Sequence, residues 1–249
     1  MALSIVIPVY NEGEKVAGLL RAITASVETR PLEILVVYDF EADTTVPVVR
    51  RLQAEVPEVQ LVRNGRGPGV LNALKTGLAT ASSPFVLVLM ADGSDEPSSI
   101  GTMLEMAENG ADLVAGSRYM KGGHQIGGPL VKRLLSRAGG LSLHWLGGIG
   151  THDPTNNFKL YSRRLLENAT IESTAGFELA LELTVKAHRM GMRIAEVPTT
   201  WRDRTEGKSR FQLRKWLPHY LRWYWYGIAT RFVGKQAAPA DRSGVDRAA

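Results

Sequence analysis

Five strand-length apolar runs, near residues 3–9, 32–38, 58–62, 84–90 and 112–117, alternate with helical patterns near 13–27, 44–54, 69–81 and 97–108. That alternation leaves few architectures open: parallel strands joined by crossover helices that cover both faces of one sheet. The runs Ile34-Leu35-Val36-Val37 and Phe85-Val86-Leu87-Val88-Leu89 are apolar throughout, as a strand must be when both its faces are buried. Too few units repeat to close a barrel, so the expected fold class is an α/β sandwich with a mostly parallel central sheet. Three of the runs empty into polar turns, Tyr10-Asn11-Glu12, Tyr38-Asp39-Phe40-Glu41 and Asp92-Gly93-Ser94-Asp95. Parallel strands put such turns on one sheet edge, where open α/β folds bind ligands.

Composition bounds the chemistry. With 249 residues, 44% of them apolar, the chain can bury a full core in a single domain. It has no cysteine, which excludes disulfides, thiolate zinc sites and thiol catalysis and fits a reducing compartment. Its five histidines form no His-x-x-x-His pair, so a zinc site is not expected. The N-terminal apolar stretch is strand-length and lacks a signal-peptide layout, which points to the cytoplasm. The net charge of +5 belongs to the C-terminal end, where residues 202–249 hold eleven Lys/Arg against four Asp/Glu.

Past Tyr119 the pattern changes. Glycine pairs at 122–123, 127–128, 139–140 and 147–148 predict a mobile loop and a broken helix across 120–150. A helix containing Phe177, Leu179, Leu181, Leu183 and Val185 follows, then a strand near 193–197 and a polar turn over 202–209. The stretch 211–234 interleaves Trp216, Trp223, Tyr224, Trp225 and Tyr226 with Arg214, Lys215, Arg222 and Arg231. Its uncharged core is too short to span a bilayer, but aromatics with Arg/Lys suit a helix lying on a membrane surface. Packing on the domain, a dimer contact or a nucleic-acid stripe would use the same residues. Residues 235–249 read as a disordered tail.

An ordered set of motifs runs through about the first 210 residues: Ile7-Pro8-Val9-Tyr10-Asn11-Glu12, Asp39, the Gly69-to-Gly77 helix start, Asp92, Gly116-Ser117-Arg118-Tyr119, Asn157-Phe158-Lys159 and Arg204-Thr205-Glu206-Gly207-Lys208-Ser209. By these the chain resembles family 2 glycosyltransferases of the GT-A fold, of the dolichyl- or polyprenyl-phosphate mannosyltransferase type. The resemblance implies a glycosyltransferase domain over 1–210 that moves a hexosyl group, mannose favoured, with inversion. It implies a nucleotide-sugar donor (GDP-mannose or a UDP-sugar), Mg²⁺ or Mn²⁺, and a polyprenyl or dolichyl phosphate acceptor at the cytosolic membrane face. No nucleic acid is expected as a partner.

The residue types suit that chemistry. Pro8 or Tyr10 at a strand exit can pack on a base, and Glu12 and Asp39 can accept hydrogen bonds from base or ribose. Asn11 and Glu12 would serve equally as an N-cap and a first-turn acid. Gly69, opening a helix, allows close backbone approach by a diphosphate. The resemblance makes Asp92 a metal ligand, but relatives of this type carry Asp-Ala-Asp where this chain has Met90-Ala91-Asp92, and a thioether does not ligate a hard cation. Asp95 could supply the second carboxylate, or cap the helix after Pro97. Arg118, Arg204, Lys208 and Arg210 are candidates for phosphate binding, with Ser209 in the Arg-x-x-Gly-x-Ser pattern. Asp92, Arg118 and Arg204 are the expected catalytic set. A hydroxyl acceptor would instead need a base, for which Asp95, Asp153 and Glu178 are candidates.

Two other readings use the same residues. A catalytically silent nucleotide-sugar-binding protein would account for Met90. A sugar-1-phosphate nucleotidyltransferase shares the fold plan, but needs a Gly-rich basic loop after the first strand, where this chain has Pro-Val-Tyr-Asn-Glu.

Overall fold

The computed structural model describes residues 3–28, 32–203 and 213–236. Strand β1 (Leu3–Pro8) is buried along its whole length and lies inside a seven-stranded sheet. It is followed by α1 (Lys15–Ser26), β2 (Leu32–Tyr38), α2 (Thr45–Leu52), β3 (Val59–Arg63), α3 (Val70–Thr80) and β4 (Phe85–Val88). A short 3₁₀ turn (Pro97–Ser99) leads into α4 (Ile100–Glu108) and β5 (Leu113–Ser117). The remainder adds β6 (His124–Ile126), α5 (Leu130–Gly147), β7 (Lys159–Ser162), α6 (Arg163–Asn168), α7 (Leu179–Arg189), β8 (Ile194–Pro198), β9 (Thr200–Arg202) and α8 (Leu213–Val233).

The strand order is β3-β2-β1-β4-β7-β5-β8, all parallel except β7, while β6 and β9 pair apart in a two-stranded ribbon. The chain starts at β1, builds outward to β3, and then returns to the other side of β1 with β4. That reversal is a topological switch point, and it opens a crevice at the carboxyl ends of β1 and β4. The antiparallel β7 has a second consequence. Its amino end lies on the same edge, so the loop before it, residues 148–158, is delivered to that crevice.

Two apolar layers sandwich the sheet. Ile5, Ile7, Val16, Leu20, Val36 and Met103 fill one side under α1, α2 and α4, and Val6, Leu35, Leu74, Val86 and Leu183 fill the other under α3, α6 and α7. Each fully buried aliphatic side chain contributes about 1.5–3 kcal/mol. A third cluster joins α5, α7 and α8 around Trp223, with Leu143, Leu181 and Val185.

The contact of α3 with β1 depends on Gly77, where a Cβ would lie 2.3 Å from Val6 Cγ1. Alanine inside a helix ordinarily gains about 1 kcal/mol over glycine, but overpacking a core costs about 1–3 kcal/mol. We expect the clash to win, so that Gly77→Ala lowers the midpoint of thermal unfolding, read by circular dichroism, by a few degrees. A raised midpoint would mean that β1 yields to the added methyl.

The segment 120–150 differs from its expectation. It forms a strand and one helix of eighteen residues that runs unbroken through Gly139 and Gly140. Gly140 serves close packing, since a Cβ there would sit 2.5 Å from the His152 carbonyl oxygen, whereas Gly139 faces open space. The helix stops at Gly148, whose φ of 69° is the left-handed cap glycine favours. The expected disordered tail lies, from residue 237 on, outside the described residues.

Candidate active site

Three turns on the switch-point edge are bound to one another. Asn11, with φ of 54°, donates its amide to Asp43 (3.0 Å) and accepts from the Thr44 amide (3.1 Å), while the Glu12 amide donates to Thr45 Oγ1 (3.0 Å). This clasp replaces the N-cap role open to Asn11, since α1 begins only at Lys15 without a side-chain cap. It sets Tyr10, 43% exposed, edge-on to Phe40 with ring centroids 5.6 Å apart, next to the buried Pro8. The pair forms an aromatic wall at the exit of β1.

Asp39 ties β2 to the start of α3. Its two carboxylate oxygens accept from Asn64 Nδ2 and from the Gly69 amide, each at 2.8 Å. Asn64 also donates to the Gly67 carbonyl (2.7 Å) and accepts from the Arg66 amide (3.0 Å) and Thr76 Oγ1 (2.9 Å). The glycine turn is thereby held open at the amino end of α3, with Gly69 exposed at φ of 119°. The sequence reading missed Asn64, although it is the residue that follows β3, on the edge that made Asp39 a candidate.

Beyond β4, Asp92 Oδ1 accepts from the Ser94 amide (3.0 Å) and Ser94 Oγ (2.6 Å), which fixes the carboxylate in its turn. Asp95 is only 3% exposed, and its Oδ1 accepts from Asn156 Nδ2 at 3.2 Å. It does not cap the helix after Pro97, which starts without a side-chain cap. Burial, assisted by the charges of Asp92 and Asp153, pushes the Asp95 carboxyl up to about 7 against the opposing Asn156 and Arg118. Among the described residues no three His, Asp or Glu converge as a metal cage. Two neighbouring carboxylates on one turn fit a hard cation that takes one or two protein oxygens and completes its shell with substrate phosphates and water.

Arg118 is the centre of the far wall. Its Nε and Nη2 grip Asp153 at 2.6 and 2.9 Å, Nη2 also reaches Ser136 Oγ and Thr155 Oγ1, and the guanidinium lies 4.9 Å from the Tyr119 ring centroid. The expected bidentate phosphate fork is therefore turned onto a protein carboxylate, in a pair whose side chains are 10% and 0% exposed. Burial alone would raise the Asp153 carboxyl, but the Arg118 guanidinium holds it below the usual carboxylate range.

The loop carrying Asp153 is anchored by Glu196, which accepts from Thr151 Oγ1 (3.0 Å), the His152 amide (2.8 Å) and His152 Nδ1 (2.5 Å). Beneath it, the fully buried Lys159 donates to the carbonyls of Asp153, Pro154 and Asn156, and burial pulls its ammonium down to about 7. Glu178 is fully buried as well, its two oxygens accepting from the amides of Ala175 (2.8 Å) and Gly176 (2.6 Å). Arg204, Lys208, Ser209 and Arg210 lie outside the described residues. So Pro8, Tyr10, Glu12, Asp39, Gly69, Asp92, Asp95 and Arg118 all come to the switch-point edge, while the basic turn is not placed.

A family model described as glycosyl transferase family 2 matches residues 4–170. An undecaprenyl-phosphate mannosyltransferase of Micrococcus luteus is 31% identical over 95% of this chain and 98% of its own length. A dolichol-phosphate mannosyltransferase of Pyrococcus furiosus is 29% identical over 94% of this chain and 67% of its own. Among solved structures, a mannosyltransferase of Pyrobaculum calidifontis in complex with GDP-Man and Mn²⁺ superposes with a TM-score of 0.64 at 19% identity, over 95% of this chain and 66% of that one. The architecture is thus the GT-A fold. The switch-point crevice, with its aromatic wall and its acidic turn, falls within the matched stretch, and the chain belongs to glycosyl transferase family 2.

Proposed function

We propose that this protein transfers a mannosyl group, with inversion, from GDP-mannose to a polyprenyl phosphate at the cytosolic face of a membrane. The observation that carries this reading is the state of the three candidate bases. Asp153 is engaged by Arg118, both oxygens of Glu178 by backbone amides, and Asp95, with Oδ1 on Asn156, shares the acidic turn with Asp92, where its other oxygen is proposed for the cation rather than for a proton. A hydroxyl acceptor needs a carboxylate to take its proton. A phosphate acceptor is already anionic and needs only placement.

The reaction then balances without proton removal. A phosphate oxygen attacks the anomeric carbon in line, the bond from that carbon to the diphosphate breaks, and GDP departs with the electron pair. The Tyr10–Phe40 pair forms one wall against which the base packs, Asp39 with the Gly69 turn receives the ribose and diphosphate, and Arg118 with Asp153 forms the wall on the acceptor side. When bound, a divalent cation held by Asp92 and Asp95 neutralises the charge that grows on the leaving diphosphate. Arg204, Lys208 and Ser209 are proposed as the acceptor-phosphate contacts.

The outer helices suit a membrane surface. α5 exposes Leu130, Val131, Leu134 and Trp145, and α8 exposes Leu217, Leu221, Trp225 and Phe232 along one stripe. Neither helix contains an acidic residue, and together they carry seven Lys/Arg. Apolar stripes with basic flanks match an interfacial helix on anionic lipid. Among the described residues no helix is long and apolar enough to cross a membrane.

The test is transfer from a panel of labelled nucleotide sugars to polyprenyl phosphate in anionic vesicles, with and without Mg²⁺ or Mn²⁺, scored by mass spectrometry of the lipid. A metal-dependent mannosyl-phospho-lipid, formed from GDP-mannose in preference to the UDP-sugars, is expected. Product on a hydroxyl acceptor alone, or nucleotide binding with no product from any donor, would overturn the reading.

A further inference from the structure

Lys159 is the first residue of β7, a strand that lies between β4 and β5, with Val88 and Ala115 as its register partners. Its side chain is completely buried. Lysine is almost never buried to that extent unless it is paired. If this position served only to fill the sheet, an aliphatic residue would do so without burying a charge.

The ammonium turns back under the loop that precedes it. It donates to the carbonyls of Asp153 (3.3 Å), Pro154 (3.2 Å) and Asn156. Three acceptors match the three N–H donors of a protonated lysine. Those carbonyls belong to a short non-helical segment whose side chains do two separate jobs. Asp153 grips Arg118, and Asn156 Nδ2 bridges Asp95 Oδ1 (3.2 Å) to the Gly116 carbonyl (3.0 Å). One buried cation therefore sets the main chain from which both partners project.

We propose that Lys159 is a positioning residue of the transfer reaction, fixing the 153–156 main chain so that Asp153 orients Arg118 and Asn156 orients Asp95. It touches neither donor nor acceptor. Its effect reaches the metal side of the site through Asn156 and the acceptor side through Asp153.

The inference shares the site of the proposed transfer but can be tested apart from it. Wild type, Lys159→Met and Lys159→Gln are compared well below each variant's own unfolding midpoint. GDP affinity is measured in EDTA, and Mn²⁺ retention in the presence of GDP is followed by the EPR signal of the free ion. Removing a group that orients a metal ligand typically weakens metal binding about 10- to 100-fold. A loss of that size in Mn²⁺ retention is expected, larger for Met than for Gln, whose amide can still serve two of the carbonyls. GDP affinity in EDTA should stay at the wild-type value, and kcat for transfer should fall in the same order as Mn²⁺ retention.

Folded variants with wild-type Mn²⁺ retention and wild-type kcat would overturn the proposal. So would failure of both variants to fold, which would make Lys159 a folding residue and nothing more. If the wild-type protein moves no mannose to polyprenyl phosphate, the transfer reading fails, while the Mn²⁺ and GDP measurements still decide the role of Lys159.

Discussion

Asp92→Ala is expected to lower kcat for transfer by about a hundred- to a thousandfold, on the scale of losing one preorganised charge-stabilising contact at a reacting centre. In this chain the acidic turn after β4 depends on Asp92. Met90 cannot replace it, since a soft thioether is a poor ligand for Mg²⁺ or Mn²⁺. Asp95 cannot stand alone either, being buried with one oxygen on Asn156. The fold should survive the change. Asp92 is half-buried in its turn and packs no core, and the hydrogen bonds it accepts from Ser94 are worth about 1 kcal/mol each. The checks are a circular dichroism spectrum that matches wild type and a Mn²⁺-dependent gain in GDP affinity that disappears. Transfer retained by the variant would remove Asp92 from the metal site.

Asp153→Ala is expected to be the most destabilising single change in the site. It leaves the Arg118 guanidinium buried without its counter-charge, and breaking a buried pair in this way costs about 3–5 kcal/mol. For a chain of this size that corresponds to a fall of roughly 10 °C in the thermal midpoint. The pH dependence has a definite sign. In the folded protein the Asp153 carboxyl is held below its ordinary value by Arg118, so the unfolded chain takes up the proton first. The stabilisation is complete above the unfolded value of about 3.9 and is lost as pH falls through it toward the folded one. Wild type and variant should therefore differ most near neutral pH and converge in acid. A gap that stayed constant down to the acid transition would show that Arg118 is neutralised by some other group.

The order of strands and helices through residue 117 was readable because each element carries its own periodicity. The run Ile34 to Val37 declares a strand covered on both faces whatever else the chain does. The same local logic placed Tyr10, Asp39 and Asp92 on one edge, since parallel strands must end together. Asn64 is readable on the same grounds, as the residue that follows β3.

Other features were not readable at all. Strand β7 is four residues long and antiparallel between two parallel neighbours, and its place depends on pairing with residues of β4 and β5 that lie 44 or more positions away in the chain. Its insertion brings Asp153, Asn156 and Lys159 to the floor of the site. Arg118 shows the same limit. A guanidinium after a strand predicts anion binding, but only the folded chain shows that the anion is Asp153. Gly139 and Gly140 read as helix breakers because glycine is a poor helix former, yet the helix runs through both, and at Gly140 the close approach of the His152 carbonyl leaves no room for a larger residue.

Local pattern was therefore enough for the fold class, the edge that holds the site and the residue types available there, because strand and helix periods and turn chemistry act over a few neighbours. Which carboxylates are engaged, which cation is buried and which helix faces are left uncovered were decided by the tertiary structure. Those properties depend on desolvation and on partners brought together from distant parts of the chain, and a one-dimensional pattern carries neither.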